Sequence, residues 1–192
     1  MILKRASNEA INFACKHYHY AKSVPVGVTG YSVFEEDQFC GVIIYARGAN
    51  KNIGDAFGLR QGEVIELVRV ALNGKQSSTS KGIAISLRLI KKDCPLAKLI
   101  VSYADEAQGH KGILYQATNW IFSGDSFAEK AIDPRDNKIK HTRTLHEIYG
   151  TIKGFQRVKD PPKHRYLYPL TEDLRIVCEK LRKPYPKSAS VV

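Results

Sequence analysis

Residues 63–103 narrow the fold more than any other stretch, because the spacing of their apolar side chains changes twice. Residues 63–72 (EVIELVRVAL) alternate as a strand does, and 73–80 are polar. Ile83, Leu87 and Ile90 then recur at helical spacing up to Lys92. Pro95 stops that helix, since a proline disfavours helical backbone in the residue before it, and residues 97–103 return to a strand. Strand, helix and strand in this order predict a βαβ unit, a helical crossover between two parallel strands. The loop between strand and helix faces unpaired backbone N–H groups and the positive end of the helix dipole, which favour an anion. Ser77, Ser78 and Lys81 lie there and are the candidates for holding a phosphate-bearing cofactor.

Around this unit the sequence predicts a helix over 6–20, capped by Ser7 or Asn8. A hairpin of strands at 30–34 and 39–46 turns at Glu35-Glu36-Asp37. A helical segment near 111–119, a strand near 120–124, a late strand at 164–170 and a helix at 172–183 complete the order. Residues 125–160 are charged and show no readable period. The expected class is α+β, a single domain with a central mixed, mostly antiparallel sheet flanked by helices. At 192 residues and 43% hydrophobic content, the chain is long enough for one core and short for two. The domain is expected over 1–170, with a C-terminal helix and basic tail at 171–192. No apolar run reaches membrane-spanning length, and the start, MILKRASNEA, lacks the apolar centre of a secretion signal. Cys15, Cys40, Cys94 and Cys178 are widely spaced without a CxxC pair, which suits reduced thiols. The expected setting is cytoplasmic, with no membrane partner.

Residues 101–120 (VSYADEAQGHKGILYQATNW) hold the densest chemistry. Ser102, Tyr103 and Asp105 arrive at a strand end, and Tyr115, Gln116 and Asn119 follow a Gln-Gly-His-Lys-Gly turn. Hydroxyls, a carboxylate, an imidazole and amides at such close range fit a site for a polar planar ligand. For Asp105 the competing role is a cap on the next helix. Lys16-His17-Tyr18-His19-Tyr20 adds two imidazoles and two phenols. His17 and His19 are candidate ligands of a non-haem iron, provided the helix breaks there to bring them to one side. Arg69 falls inside an apolar strand, where an unpaired guanidinium is costly. It either pairs with Glu66 or meets the anionic group of a ligand.

Charge points to a polyanion. The chain carries 30 Lys and Arg against 19 Asp and Glu. Residues 128–192 hold fifteen basic and eight acidic side chains, a surplus of seven, against a surplus of four in 1–127. Lys138, Lys140 and Arg143 lead the basic set, interleaved with histidines and tyrosines, as in nucleic-acid binders.

Several blocks resemble the Mom family of bacteriophage proteins that modify adenine in DNA: CKHYHYAKSVPVG at 15–27, CGVIIYARGAN at 40–50, ELVRVAL at 66–72 and LIVSYADEAQGHKGILYQATNWIFSG at 99–124, with a fainter echo in KHRYLYPL at 163–170. The resemblance implies a divergent GNAT-like acyltransferase fold, so that residues 1–170 form its catalytic domain. It implies transfer of a methylcarbamoyl group to adenine N6, which shields phage DNA from restriction. The partner is then double-stranded DNA with the target adenine flipped out. Asp105 becomes the general base, with Tyr115, His19 and Tyr103 beside it. Tyr18, Tyr20, Ser102, Gln116 and Asn119 would hold the base, Lys138, Lys140 and Arg143 the phosphates, and Arg69, Ser77, Ser78 and Lys81 an acetyl-CoA or related acyl donor. The loop Asn73 to Gly82 departs from the GNAT phosphate signature, leaving the donor open. Two other readings are a CoA-dependent N-acyltransferase of a small amine or protein, and a nonenzymatic DNA-binding protein.

Overall fold

The computed structural model describes residues 1–47, 52–127, 129–159 and 161–186. A seven-stranded sheet forms its centre: β1 (Ile2–Arg5), β2 (Val28–Glu35), β3 (Gln38–Ala46), β4 (Val64–Leu72), β5 (Leu99–Asp105), β10 (Lys163–Pro169) and β6 (Ile121–Ser126), in that spatial order. All neighbours run antiparallel except β4 and β5, which are the parallel pair of the crossover unit. A second sheet of three short strands, β7 (Glu129–Asp133), β8 (Lys138–His141) and β9 (Arg157–Lys159), with helix α4 (Thr142–Tyr149), fills the stretch that had no readable period. The α+β class with a mostly antiparallel sheet is as the sequence predicts.

Helices cover both faces. Helix α1 (Asn8–Tyr18) starts at Ser7, whose side chain accepts from the Ala10 N–H, and buries Ile11, Ala14 and Cys15 against Val42, Ile44 and Ala71. Helix α2 (Thr79–Asp93) lays Ile83, Leu87 and Ile90 on the other face, against Ile43, Tyr45 and Ile100. Each such side chain removed from water stabilises the fold by roughly 1.5–3 kcal/mol. From Val42 to Tyr45 successive residues of β3 go to opposite clusters, as strand geometry demands. Helix α5 (Glu172–Glu179) packs Leu174 and Cys178 on the α1 side, over Leu99, Val101 and Leu167.

Helix α2 begins four residues before the first apolar position of its stripe, because Ser78 caps it by accepting from the Lys81 N–H. The segment expected to be helical near 111–119 is shorter, a single turn α3 (Ile113–Gln116). Among the described residues no helix is long and apolar enough to cross a membrane.

Candidate active site

The two parallel strands separate early. Pairing of β4 with β5 is confined to Val64 with Leu99, Ile65 with Ile100 and Glu66 with Val101. Beyond that, β4 continues to Leu72 and β5 to Asp105 with a widening gap. Two hollows of about 300 and 470 Å³ open there and share Thr79, Tyr103, His110, Leu114 and Tyr115, so they form one cleft. At its base Ser102, fully buried, lies 2.8 Å from the Leu67 carbonyl and 2.7 Å from the Tyr115 hydroxyl. That serine bridges the gap where backbone pairing has stopped. Its single proton goes to the carbonyl, which can only accept, so the Tyr115 hydroxyl donates to Ser102 when that bond forms. Burial pushes the Tyr115 phenol up to about 12, which keeps it protonated.

A β-bulge decides where Arg69 points. Tyr45 pairs with Leu67 and Ile44 with Arg69, so Val68 is an extra residue on β4. The bulge reverses the alternation: Ile65 and Leu67 face α2, and after it Val70 and Leu72 do. Arg69 therefore turns to the α1 side, where it donates to Ser23 Oγ at 3.2 Å and to the Val68 carbonyl at 2.7 Å. Its Nε is buried with no hydrogen-bond partner. A guanidinium held in the wall of a cleft with a donor unspent is an anion receptor in chemical terms.

His19 lies at the end of α1, 8% exposed, and lines the cleft with Tyr20 and Arg69. The Ala21 N–H donates to its Nδ1 at 3.1 Å, so the neutral ring carries its proton on Nε2 and acts there as a donor. Burial, reinforced by the charge of Arg69, pulls this imidazole down to about 4. The unfolded chain protonates near 6.5, so the stability linked to His19 is present above that value and is lost as pH falls toward about 4. Replacing Arg69 with Met should raise the His19 pKa part of the way back, as read by NMR titration of the ring. An unchanged value would mean that burial alone sets it.

Tyr20, half exposed, stacks on His19 at 4.3 Å and meets His110 edge-on at 5.8 Å. Its phenol is raised first by burial and then by the charge of Asp105. Asp105 caps the short turn at 106–108: its Oδ1 accepts from the Ala107 N–H at 3.1 Å, and Oδ2 lies 3.4 Å from Lys163 Nζ. The capping role weighed against catalysis in the sequence is thus part of its geometry. Tyr103 lines both hollows, its phenol raised by burial.

Other candidates fall elsewhere. Tyr18 packs edge-on against Phe13 and joins the α1 cluster. Gln116 donates to the Lys111 carbonyl and the Tyr166 hydroxyl, holding the cleft's outer turn. Asn119 is exposed with a left-handed φ of 60°, a turn residue beyond α3. His17 is exposed and lies against Phe13, so it does not converge with His19, and among the described residues no three His, Cys, Asp or Glu side chains gather as a metal site would need. Ser77 donates from backbone and side chain to Glu35, and the Ser78 hydroxyl is spent on the α2 cap, while Lys81 is exposed. Lys140 is paired with Asp133 and Asp136 at 2.7 and 2.8 Å, which removes it from the free cations, whereas Lys138 and Arg143 are exposed.

His110 and Thr79 line both hollows without having been named as site residues from sequence. His110 had a signal, an imidazole between two glycines beside the candidate strand end. Thr79 had none, since nothing local distinguishes it from its Ser and Thr neighbours.

Known proteins resemble this chain in sequence and in fold. The chain is 29% identical over 120 residues to the "Methylcarbamoylase mom" of Escherichia phage Mu, a match covering 60% of this chain and 49% of that protein. It thus spans about half the length of the curated relative it matches. The fold resembles the aminoglycoside 6'-N-acetyltransferase from Enterococcus faecium (TM-score 0.52, 9% identity, 89% of this chain and 98% of that one). It also resembles aminoglycoside acetyltransferase AAC(6')-Ib in complex with coenzyme A and kanamycin (TM-score 0.52, 12% identity, 90% and 96%). These likenesses establish a GNAT-type fold. The Mom protein family pattern matches residues 1–187, nearly the whole sequence, and the chain belongs to that family.

Proposed function

We propose that this protein transfers a methylcarbamoyl-type group to the N6 amine of adenine in DNA, and that the cleft between β4 and β5 is where it does so. The observation that carries the reading is the cleft itself. In a Mom-family chain, the splayed strands place an underused guanidinium, two imidazoles and three phenols around one hollow. The relative from phage Mu is named a methylcarbamoylase.

Adenine N6 is a weak nucleophile, its lone pair drawn into the ring, so a proton must leave as the new bond forms. The target amine is also buried in the duplex stack, so the base must be extruded to reach the cleft. Tyr20, backed by His19, offers an exposed face for stacking. Arg69 receives the anionic group of the donor, and His19 Nε2–H donates a hydrogen bond to an oxygen or nitrogen atom in the cleft. We assign the proton to Asp105, whose charge acts on the Tyr20 phenol. Mass spectrometry of nucleosides from DNA of cells expressing the chain tests the whole reading. A modified deoxyadenosine that disappears with Arg69→Met supports it. Unmodified DNA from an expressed, folded protein sinks it.

DNA binding follows from the small sheet. Lys138 and Arg143 supply phosphate contacts, and losing each should reduce the slope of log affinity against log salt by about 1. Lys138→Ala with Arg143→Ala should therefore lower the slope by about 2. Lys140→Ala should leave the slope alone and loosen the module instead, because the side chain of its partner Asp133 is fully buried. Equal slopes for parent and double variant would make the patch solubility charge.

A further inference from the structure

Phe127 stands in the link between β6 and β7, where the main sheet hands over to the small one. Its side chain is 68% exposed, more than any other aromatic ring among the described residues. Single exposed apolar side chains are ordinary on protein surfaces, and it is the place of this one that matters. Strand register sets a row across the end of the main sheet: Asp105 of β5 pairs with Lys163 of β10, and Lys163 with Ser126 of β6. Neighbouring strands lie about 4.8 Å apart, so Ser126 is about 10 Å from Asp105. Phe127 follows Ser126 off the sheet, at the same end as Tyr103 and Ala104, which line the cleft. Beyond the link, β7 pairs with β9, where Lys159 lies opposite Glu129, and with β8, which carries Lys138. The two carboxylates nearest Phe127 in sequence are both engaged. Asp125 Oδ1 lies 2.7 Å from His164 Nδ1, and Glu129 lies 3.5 Å from Arg157.

We infer that Phe127 is a wedge for duplex DNA: when the target adenine leaves the helix for the cleft, the Phe127 ring enters the stack where the base stood. A duplex held by its phosphates on the small sheet, and giving up one base to the cleft, passes the link that joins the two. Extruding a base breaks the stacking on both of its faces, and a flat apolar side chain pushed into the duplex offsets that loss. Phe127 is flat, has no polar atom to satisfy, and lines neither hollow, so it does not compete with the adenine for the cleft. The other exposed apolar side chains at this end have different places. Tyr20 stacks on His19 inside the cleft, and Ile113 forms part of its wall. Tyr20 thus serves the extruded base and Phe127 the duplex left behind. The wedge role rests on the transferase reading above, in which the target is an adenine paired in a duplex.

The experiment uses a duplex with 2-aminopurine in place of several adenines, since this base is quenched when stacked and fluoresces when extruded. Binding is read in parallel from the anisotropy of an end label, and no group donor is needed. The saturated parent complex should show a clear rise in 2-aminopurine emission. Phe127→Ala should shift the balance from extruded to stacked base by roughly ten- to hundredfold, the worth of one base–aromatic stack. Most of the rise then disappears while the complex still forms through its phosphate contacts. Phe127→Trp keeps a flat ring and should restore the rise. Both variants should melt like the parent, because so exposed a ring supports little of the core. Equal emission from parent and Ala variant would overturn the inference, and so would a folded Ala variant that no longer binds DNA, which would make Phe127 a general docking contact. A parent that binds the duplex without any rise overturns it as well, since no base is then extruded. Nucleoside mass spectrometry of the parent reports separately on group transfer, so the two failures are distinguishable.

Discussion

Asp105→Asn is expected to lower adenine modification by about 10²- to 10⁴-fold, the usual contribution of a general base, with little change in melting temperature. The two expectations separate because the observed cap and the proposed base make different demands on the side chain. As a cap, Asp105 uses Oδ1 to accept from the Ala107 N–H, and the Asn amide oxygen does the same at little cost. The contact of Oδ2 with Lys163 is made by a side chain 46% exposed, and such an ion pair is worth about 0–1 kcal/mol. As a base, the carboxylate must take a proton, which an amide cannot. Rate measured on DNA and stability measured by melting then resolve the roles. If the Asn variant melts normally and still modifies adenine at close to the parent rate, Asp105 is a cap alone. His19 is a poor replacement base, because its Nδ1 already accepts from Ala21 and its pKa lies near 4.

Gly112→Ala should be a strongly damaging single-methyl change. Gly112 opens α3 with a left-handed φ of 75°, and an added Cβ would sit 2.3 Å from the Tyr166 ring. That ring is fully buried against Tyr115 and Phe122, and its hydroxyl donates to the Lys111 carbonyl at 2.6 Å, so it has nowhere to go. The backbone conformation costs an L-residue about 1–2 kcal/mol and overpacking about 1–3 kcal/mol more. For a chain of this size that lowers the melting temperature by roughly 4–20 °C. The strain falls on the turn carrying His110 and on Tyr115 beyond it, so activity should fall together with stability. A melting temperature within a degree of the parent would mean that the turn and Tyr166 are less tightly packed than described.

Much of this molecule is legible in short windows of sequence. Alternation in residues 63–72, helical spacing through Ile83, Leu87 and Ile90, and the turn residues at 35–37 each specify an element, because backbone geometry repeats every two or 3.6 residues. The element ends were less legible. Helix α2 starts earlier than its apolar stripe because Ser78 supplies a cap, a polar decision that hydrophobic spacing does not record. The small sheet at 129–159 was opaque for a related reason. Its core is thin, with Ala131 and Leu145 fully buried, and much of its order comes from the Asp133 ion pairs and the Tyr149 hydroxyl.

The sequence by itself determined the α+β class, the crossover unit, the Mom-family membership and the segment around Ser102, Tyr103 and Tyr115 from which the cleft is made. Tertiary structure alone decided that β10 inserts between β5 and β6, that β4 and β5 part after Glu66 and Val101, and that the bulge at Val68 turns Arg69 to the α1 side. It also decided which charges are spent: Lys140 on Asp133 and Ser77 on Glu35, a residue 42 positions away. The physical reason is range. Periodicity and capping act over a few residues, whereas strand partners, bulge positions and ion pairs depend on groups that meet only when the chain has closed on itself.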